Sequence, residues 1–209
     1  NNNVFIRSMG SHGDLGGLAR KTQDVGDILS ASGKDVVIIE TVGVGQGEHD
    51  VAKAVDLTLV ILVPESGDEI QLMKAGLIEI GDMFVINKSD REGAERLAQS
   101  LKSILHTFTK KGKLEPPVFN TSADRNEGIL DLYNGMNELL KVMVKEGILI
   151  QKQLDRHRNR VYNIIQDRLL KKFWTQERLD HLEISINHLD TTQTSPHEVA
   201  TSLLKKAHE

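Results

Sequence analysis

Three apolar runs limit what this chain can fold into. Residues 36–39, 57–63 and 83–86 are apolar throughout, Thr58 excepted. A strand with one wet face alternates apolar and polar residues, so an unbroken run belongs to a strand covered on both faces. Helix-period segments separate these runs. The first, 15–31, carries Leu18, Val25, Ile28 and Leu29 on one side, and others span 68–80, 91–111 and 127–145. Val4, Phe5 and Ile6 read as a further strand, as do Val118 and Phe119. Strand and helix alternating at this spacing predict right-handed crossovers and a parallel sheet, hence an α/β domain over residues 1–146. In such sheets ligands sit beyond the carboxyl ends of the strands, where Glu40 and Asn87 fall.

From about Gly147 the pattern changes. Residues 148–174 predict one long helix with Leu154, Val161, Ile165 and Leu169 as its apolar positions, and no strand signal follows. Ser195 and Pro196 open a last helix, as N-cap and first helical residue. Residues 147–209 therefore read as a helical arm.

Composition closes off several function classes. A net charge of −4 over 209 residues gives no argument for nucleic acid or an anionic membrane. Asp155 and Asp167 interrupt the basic stretch 152–160, which reads as a solvated helix face. No run approaches the roughly 18–20 apolar residues that span a bilayer. With no cysteine there is neither a disulfide framework nor a thiolate metal site, which fits a reducing compartment. The eight histidines are scattered, and His181, Glu183 and His188 are the nearest approach to a ligand set.

Chemistry concentrates at two strand ends. Asn87, Lys88, Ser89 and Asp90 follow the 83–86 run directly. A carboxylate at Asp90 can accept from both N1–H and the 2-amino group of guanine. Adenine lacks that donor pair and would leave Asp90 unpaired. Lys88 would lay its stem along the base, and Asn87 would tie the loop to neighbouring backbone. The competing reading is purely structural, with Ser89 or Asp90 capping the helix that begins near Arg91. At the other strand end, Glu40 and Thr41 lead into Val42 and Gly43. A carboxylate closing a buried strand needs a cation or donors, and a water-bridged Mg²⁺ meets that need. Gly43 lets a backbone N–H approach a γ-phosphate, and Gly45 and Gly47 allow rearrangement when the phosphate leaves. An ordinary glycine-rich turn with a solvated glutamate is the alternative. Thr121, Ser122 and Ala123 could offer backbone N–H groups to a guanine O6, and Arg7 could reach a phosphate. A phosphate-cradling G-x-x-x-x-G-K-[ST] loop does not occur in these residues: Gly10, Gly13, Gly16 and Gly17 lack the lysine.

Several strings together resemble the MeaB/ArgK family of G-protein chaperones for adenosylcobalamin-dependent acyl-CoA mutases, chiefly methylmalonyl-CoA mutase. They are Phe5 with Ile6, Arg7 and Ser8; Leu15 through Gly16 and Gly17 to Leu18 and Ala19; and Glu40 with Thr41, Val42, Gly43, Val44, Gly45 and Gln46. Lys74, Ala75 and Gly76, the Asn87 motif, and the final helix at Ser195, Pro196 and His197 complete the set. The resemblance implies a P-loop GTPase fold with a helical dimerisation arm. It also implies a homodimeric, cytoplasmic or mitochondrial-matrix GTPase that uses GTP/GDP and Mg²⁺ and gates cobalamin delivery to the mutase. On it, Glu40 lies near the metal, and 42–48 form the phosphate-responsive switch. Asn87, Lys88 and Asp90 read guanine, supported by Ser122, Ala123 and Asp124. Residues 64–74 resemble the loop that relays nucleotide state to the mutase. Gln46 is the candidate for orienting the attacking water, by analogy with water-positioning glutamines. Gly47 stands where the family commonly has serine. The family's phosphate loop, its lysine and its metal-binding aspartate would lie upstream of Asn1, which implies weak nucleotide binding by these residues alone. Two other readings stay open: a non-hydrolysing dimeric GTP/GDP sensor, and a metallocentre-maturation GTPase, which would need a metal-collecting Cys/His cluster.

Overall fold

The computed structural model describes residues 3–9, 22–41, 52–65, 76–109, 114–187 and 195–205. Two compact units divide the chain, residues 1–153 and 154–209. In the first, α1 (Thr22–Ala31) precedes a sheet of β1 (Leu59–Leu62), β2 (Met83–Ile86) and β3 (Val118–Asn120). The connecting helices are α2 (Leu77–Ile80) and α3 (Ala94–Phe108), and α4 (Ile129–Lys145) follows β3. Helix α5 (Ile148–Phe173) runs from the first unit into the second, which also holds α6 (Gln176–Asn187) and α7 (Pro196–Lys205).

The strands pair in chain order and in parallel, Leu62 opposite Ile86 and Ile86 opposite Asn120. All four residues of β2 are buried, as its unbroken apolar run requires. One face of the sheet, with Val60, Leu62, Phe84 and Ile86, packs on Ala94, Ala98, Leu101 and Leu105 of α3. Those α3 positions recur every three or four residues, so a single stripe meets the strands. The other face sets Met83 and Phe119 against Leu139 and Met143 of α4 and Ile148 at the start of α5. Burying each such large side chain contributes about 1.5–3 kcal/mol. Gly135 is fixed by that contact, since a Cβ there would lie 2.1 Å from the Phe119 ring.

Two expected strands do not form. Residues 4–6 and 36–39 adopt no regular structure, and Ile38 is 86% exposed. Glu40 consequently does not stand at a strand's end. The physical reason is pairing: an apolar run becomes a strand only beside a partner that takes its backbone groups. Among the described residues the sheet ends at β1, where Ile61 is 61% exposed. Helix α6, by contrast, carried no clear sequence signal and was not expected. The predicted cap of α7 does form: the Glu198 amide donates to Ser195 Oγ (3.3 Å), and the Ser195 amide donates to Glu198 Oε2 (2.7 Å).

At the amino-terminal edge of the sheet, Asp82 joins three segments. It accepts the Thr58 amide at Oδ2 (2.7 Å), and Lys152 Nζ donates to Oδ1 (2.7 Å) and Oδ2 (2.6 Å). The two side chains are mostly covered, so cutting one leaves the other poorly solvated. Asp82→Ala is expected to lower unfolding stability by about 2 kcal/mol. Lys152→Met should cost less, because Asp82 keeps the Thr58 amide. Urea titration measures both, and an unshifted Asp82→Ala midpoint would remove this latch from the fold's stability.

Candidate functional site

The carboxyl ends of β2 and β3 are stitched together. The Asn87 amide donates to the Leu62 carbonyl (2.8 Å), and the Thr121 amide donates to that of Ile86 (2.9 Å). The Ser89 amide returns to the Thr121 carbonyl (2.9 Å). These bonds carry the ladder past the strands, so both loops leave the sheet in fixed register. Asn87 Oδ1 then accepts from Thr121 Oγ1 (3.2 Å) and from the Ala123 amide (3.1 Å). This is the tie to neighbouring backbone expected of Asn87. Lys88 adopts the left-handed conformation (φ 56°), which costs a residue with a Cβ on the order of 1 kcal/mol. It closes a turn in which the Arg91 amide donates to the Lys88 carbonyl (3.0 Å).

Asp90 is the chemical centre of this corner. Fully buried Ser122 donates its hydroxyl to Asp90 Oδ1 (2.7 Å) and also lies 2.9 Å from Asp124 Oδ1. Arg125 Nη2 meets Asp90 Oδ2 at 2.9 Å, and the Asp90 side chain is only 16% exposed. The Ser122 hydroxyl, then a backbone amide hydrogen bond at Asp90 itself, and after these the Arg125 and Arg91 charges, hold the Asp90 carboxyl below the usual aspartate range. The competing capping role is not taken: α3 begins behind Gly93, which adopts the left-handed conformation and supplies no side-chain cap. Asp90 is instead a carboxylate kept ionised at a strand mouth, able to accept two donors.

The turn 122–127 builds the opposite wall. Ser122 and Glu127 exchange amide-to-carbonyl bonds (3.0 and 3.1 Å), and Asn126 closes the turn at φ 57°. Gly128 follows at φ 70°, so close to the chain that a Cβ would lie 2.2 Å from the Asn120 carbonyl oxygen. Arg91 donates from Nη1 to Glu65 Oε1, which lowers the Glu65 pKa and clamps the end of β1 to this loop.

The structure thus brings Asn87, Asp90, Ser122, Ala123 and Asp124 together, with Lys88 in the same loop. Arg7 lies exposed in an irregular segment, and Glu40 is exposed with no hydrogen bond or ion pair to the Asn87 group among the described residues. Gly43 and Gln46 lie outside the described residues, as do most of 64–74 and all of 42–48. Among the described residues no three His, Cys, Asp or Glu side chains converge to hold a metal ion. No helix among them is long and apolar enough to cross a membrane. Sequence reasoning missed Arg125, Arg91 and Glu65. An arginine three residues beyond Ser122 on a short turn was the available signal for the first.

A family model described as methylmalonyl-CoA mutase-associated GTPase MeaB matches residues 1–178. The chain belongs to the MeaB family. A Pyrococcus abyssi protein provisionally named a GTPase is 37% identical over 206 residues, covering 97% of this chain and 64% of that protein. The mouse protein named methylmalonic aciduria type A homolog, mitochondrial, is 34% identical over 208 residues, 97% of this chain and 50% of its own length. GTPase ArgK of Escherichia coli is 35% identical over 152 residues, 71% of this chain and 46% of that protein. The chain therefore spans about half to two-thirds of the length of these curated relatives. MeaB membership agrees with the resemblance read from the Glu40 and Asn87 strings, and with a parallel sheet between helices.

The lowered carboxylates give a pH window. A depressed folded-state pKa contributes stability that is complete above the unfolded value and is lost as pH falls through the folded one. For Asp90 and Glu65 that loss begins below about pH 4.5. Ser122→Ala should shrink it, since the hydroxyl is the main cause at Asp90. Denaturant unfolding from pH 7 down to about pH 3 tests this, and an identical pH profile in Ser122→Ala would refute it.

Proposed function

We propose that this chain carries the guanine-reading corner and the helical arm of a GTP-hydrolysing chaperone. Its client would be methylmalonyl-CoA mutase or a related acyl-CoA mutase. The observation that carries the reading is Asp90, an ionised and largely covered carboxylate at the joined mouths of β2 and β3. Family membership and the names of the relatives support the rest.

The base would enter between the Asn87–Asp90 loop and the 121–125 turn. Asp90 would accept N1–H and the 2-amino group in two charge-assisted bonds. Contrary to expectation, the Thr121, Ser122 and Ala123 amides are all engaged, by the Ile86 carbonyl, the Glu127 carbonyl and Asn87 Oδ1, so the Ala123 amide would have to leave Asn87 to meet O6. Lys88 would cover one face of the base with its methylenes. Asn87 acts on the base only through the backbone it holds. Adenine brings no such donor pair and would gain nothing from Asp90, whereas guanine gains two charge-assisted bonds.

Hydrolysis would draw on Gly43 and Gln46, with Glu40 beside Mg²⁺ and Arg7 toward phosphate. In this scheme Gln46 positions the attacking water. Protection and gated loading of the mutase's adenosylcobalamin is the proposed use of the GTP cycle, in the cytoplasm or the mitochondrial matrix. An exposed stripe on α5, comprising Ile150, Leu154, Val161, Ile165 and Leu169, supports α5 as a homodimer surface.

Asp90→Asn tests the base reading in the full gene product that contains this chain. An amide presents one acceptor and one donor, which suits the N1–H and C2 carbonyl of xanthine. The variant should lose at least about 100-fold in GDP affinity while gaining xanthosine diphosphate binding. Calorimetric titration showing undiminished GDP affinity would overturn the assignment. In the same protein Gln46→Ala should lower GTP turnover and leave GDP affinity alone. GTP turnover that ignores added mutase would count against the chaperone role.

A further inference from the structure

Asp90 already holds a guanidinium. Arg125 Nη2 sits 2.9 Å from Asp90 Oδ2, while Oδ1 is taken by Ser122. The edge of guanine that would read Asp90, N1–H joined through C2 to the 2-amino group, is itself a cyclic guanidine. It presents a carboxylate with the same N–H fork that an arginine does. Arg125 and the base would therefore compete for one acceptor with one chemistry.

We propose that Arg125 is a resident competitor for the guanine site. Its guanidinium takes the place on Asp90 that an incoming base must take, so guanine enters by exchange. The inference rests on the base-site reading above and extends it to a residue that sets affinity. Three observations support it. The arginine is aimed by a stiff turn: its amide donates to the Ser122 carbonyl (3.1 Å), and the Ser122–Glu127 pair and Asn126 fix the loop around it. Its side chain is 56% exposed, so it can swing into solvent without opening the core. Ser122 can yield Oδ1 without losing its bond, because Asp124 Oδ1 offers the hydroxyl a second acceptor (2.9 Å). Adenine, with no such fork, cannot substitute for the guanidinium, so the resident ion pair keeps Asp90 satisfied against the wrong base.

The test uses the full gene product with Arg125→Ala and Arg125→Gln, titrated with GDP, guanosine and ADP. Exposed ion pairs of this kind are worth up to about fivefold in an equilibrium constant. Both variants should therefore bind GDP roughly two- to fivefold more tightly. Guanosine should tighten by the same factor, which places the effect at the base. Salt supplies a readout that needs no variant: raising it from about 0.05 to 0.5 M screens the ion pair and should tighten guanosine on the parent protein but not on Arg125→Ala. Unchanged or weakened guanosine binding in both variants overturns the inference. So does a loss of GDP affinity with guanosine unaffected, which would put Arg125 on the phosphates. No preference for GDP over ADP in the parent protein would instead refute the base-site reading itself.

Discussion

Strand β2 is paired on both edges and covered on both faces, and the candidate site depends on that double constraint. Parallel pairing puts the carboxyl ends of β1, β2 and β3 on one side of the sheet. The bonds from Asn87 to Leu62 and from Thr121 to Ile86 then prolong the ladder into the loops. Asp90 and Ser122, 32 residues apart in the chain, meet because neither loop is free to choose its own starting direction. The buried apolar side chains of β2 and α3 stabilise this frame, and the polar contacts at its mouth are worth more inside it than they would be in a flexible loop.

Charge is arranged differently at the two ends of the sheet. At the amino-terminal edge an ion pair, Asp82 with Lys152, is mostly covered and joins segments of structure. Across the carboxyl end the pairs Glu65–Arg91 and Asp90–Arg125 each keep at least one largely exposed partner. Covered pairs resist exchange, whereas exposed arginines give up a carboxylate cheaply. A binding corner needs the second kind.

Much of this was legible in the residues, for identifiable reasons. The unbroken run at Met83–Ile86 announced a strand buried on both sides, and the helix-period segment 91–111 after it announced the helix that covers it. Asn87 and Asp90 could be placed because their chemistry follows directly on that strand. Runs of equal apolarity at 4–6 and 36–39 misled, since hydrophobicity specifies burial but not the partner that turns a run into a strand. The start of α3 at Gly93 was also misjudged, because Ser89 and Asp90 look like caps until the turn after β3 engages them. Arg125 was harder to see for a related reason: its importance comes from Asp90, a neighbour far away in the chain, and its place on the short turn after Ser122 was the one local hint.

The uncovered flank of β1 has a consequence for self-association. Among the described residues no strand pairs with the outer edge of β1, and such an edge, with Ile61 exposed, is a template onto which another extended segment can add. Residues 4–6 and 36–39 are apolar sequence of extended type outside regular structure, and a second molecule carries the same pieces. Two separate surfaces are thus available for self-association, strand addition at β1 and the proposed helix pairing along α5. Only the second would be abolished by polar substitutions at Leu154 and Ile165, while a lysine at Ile61 would suppress only the first.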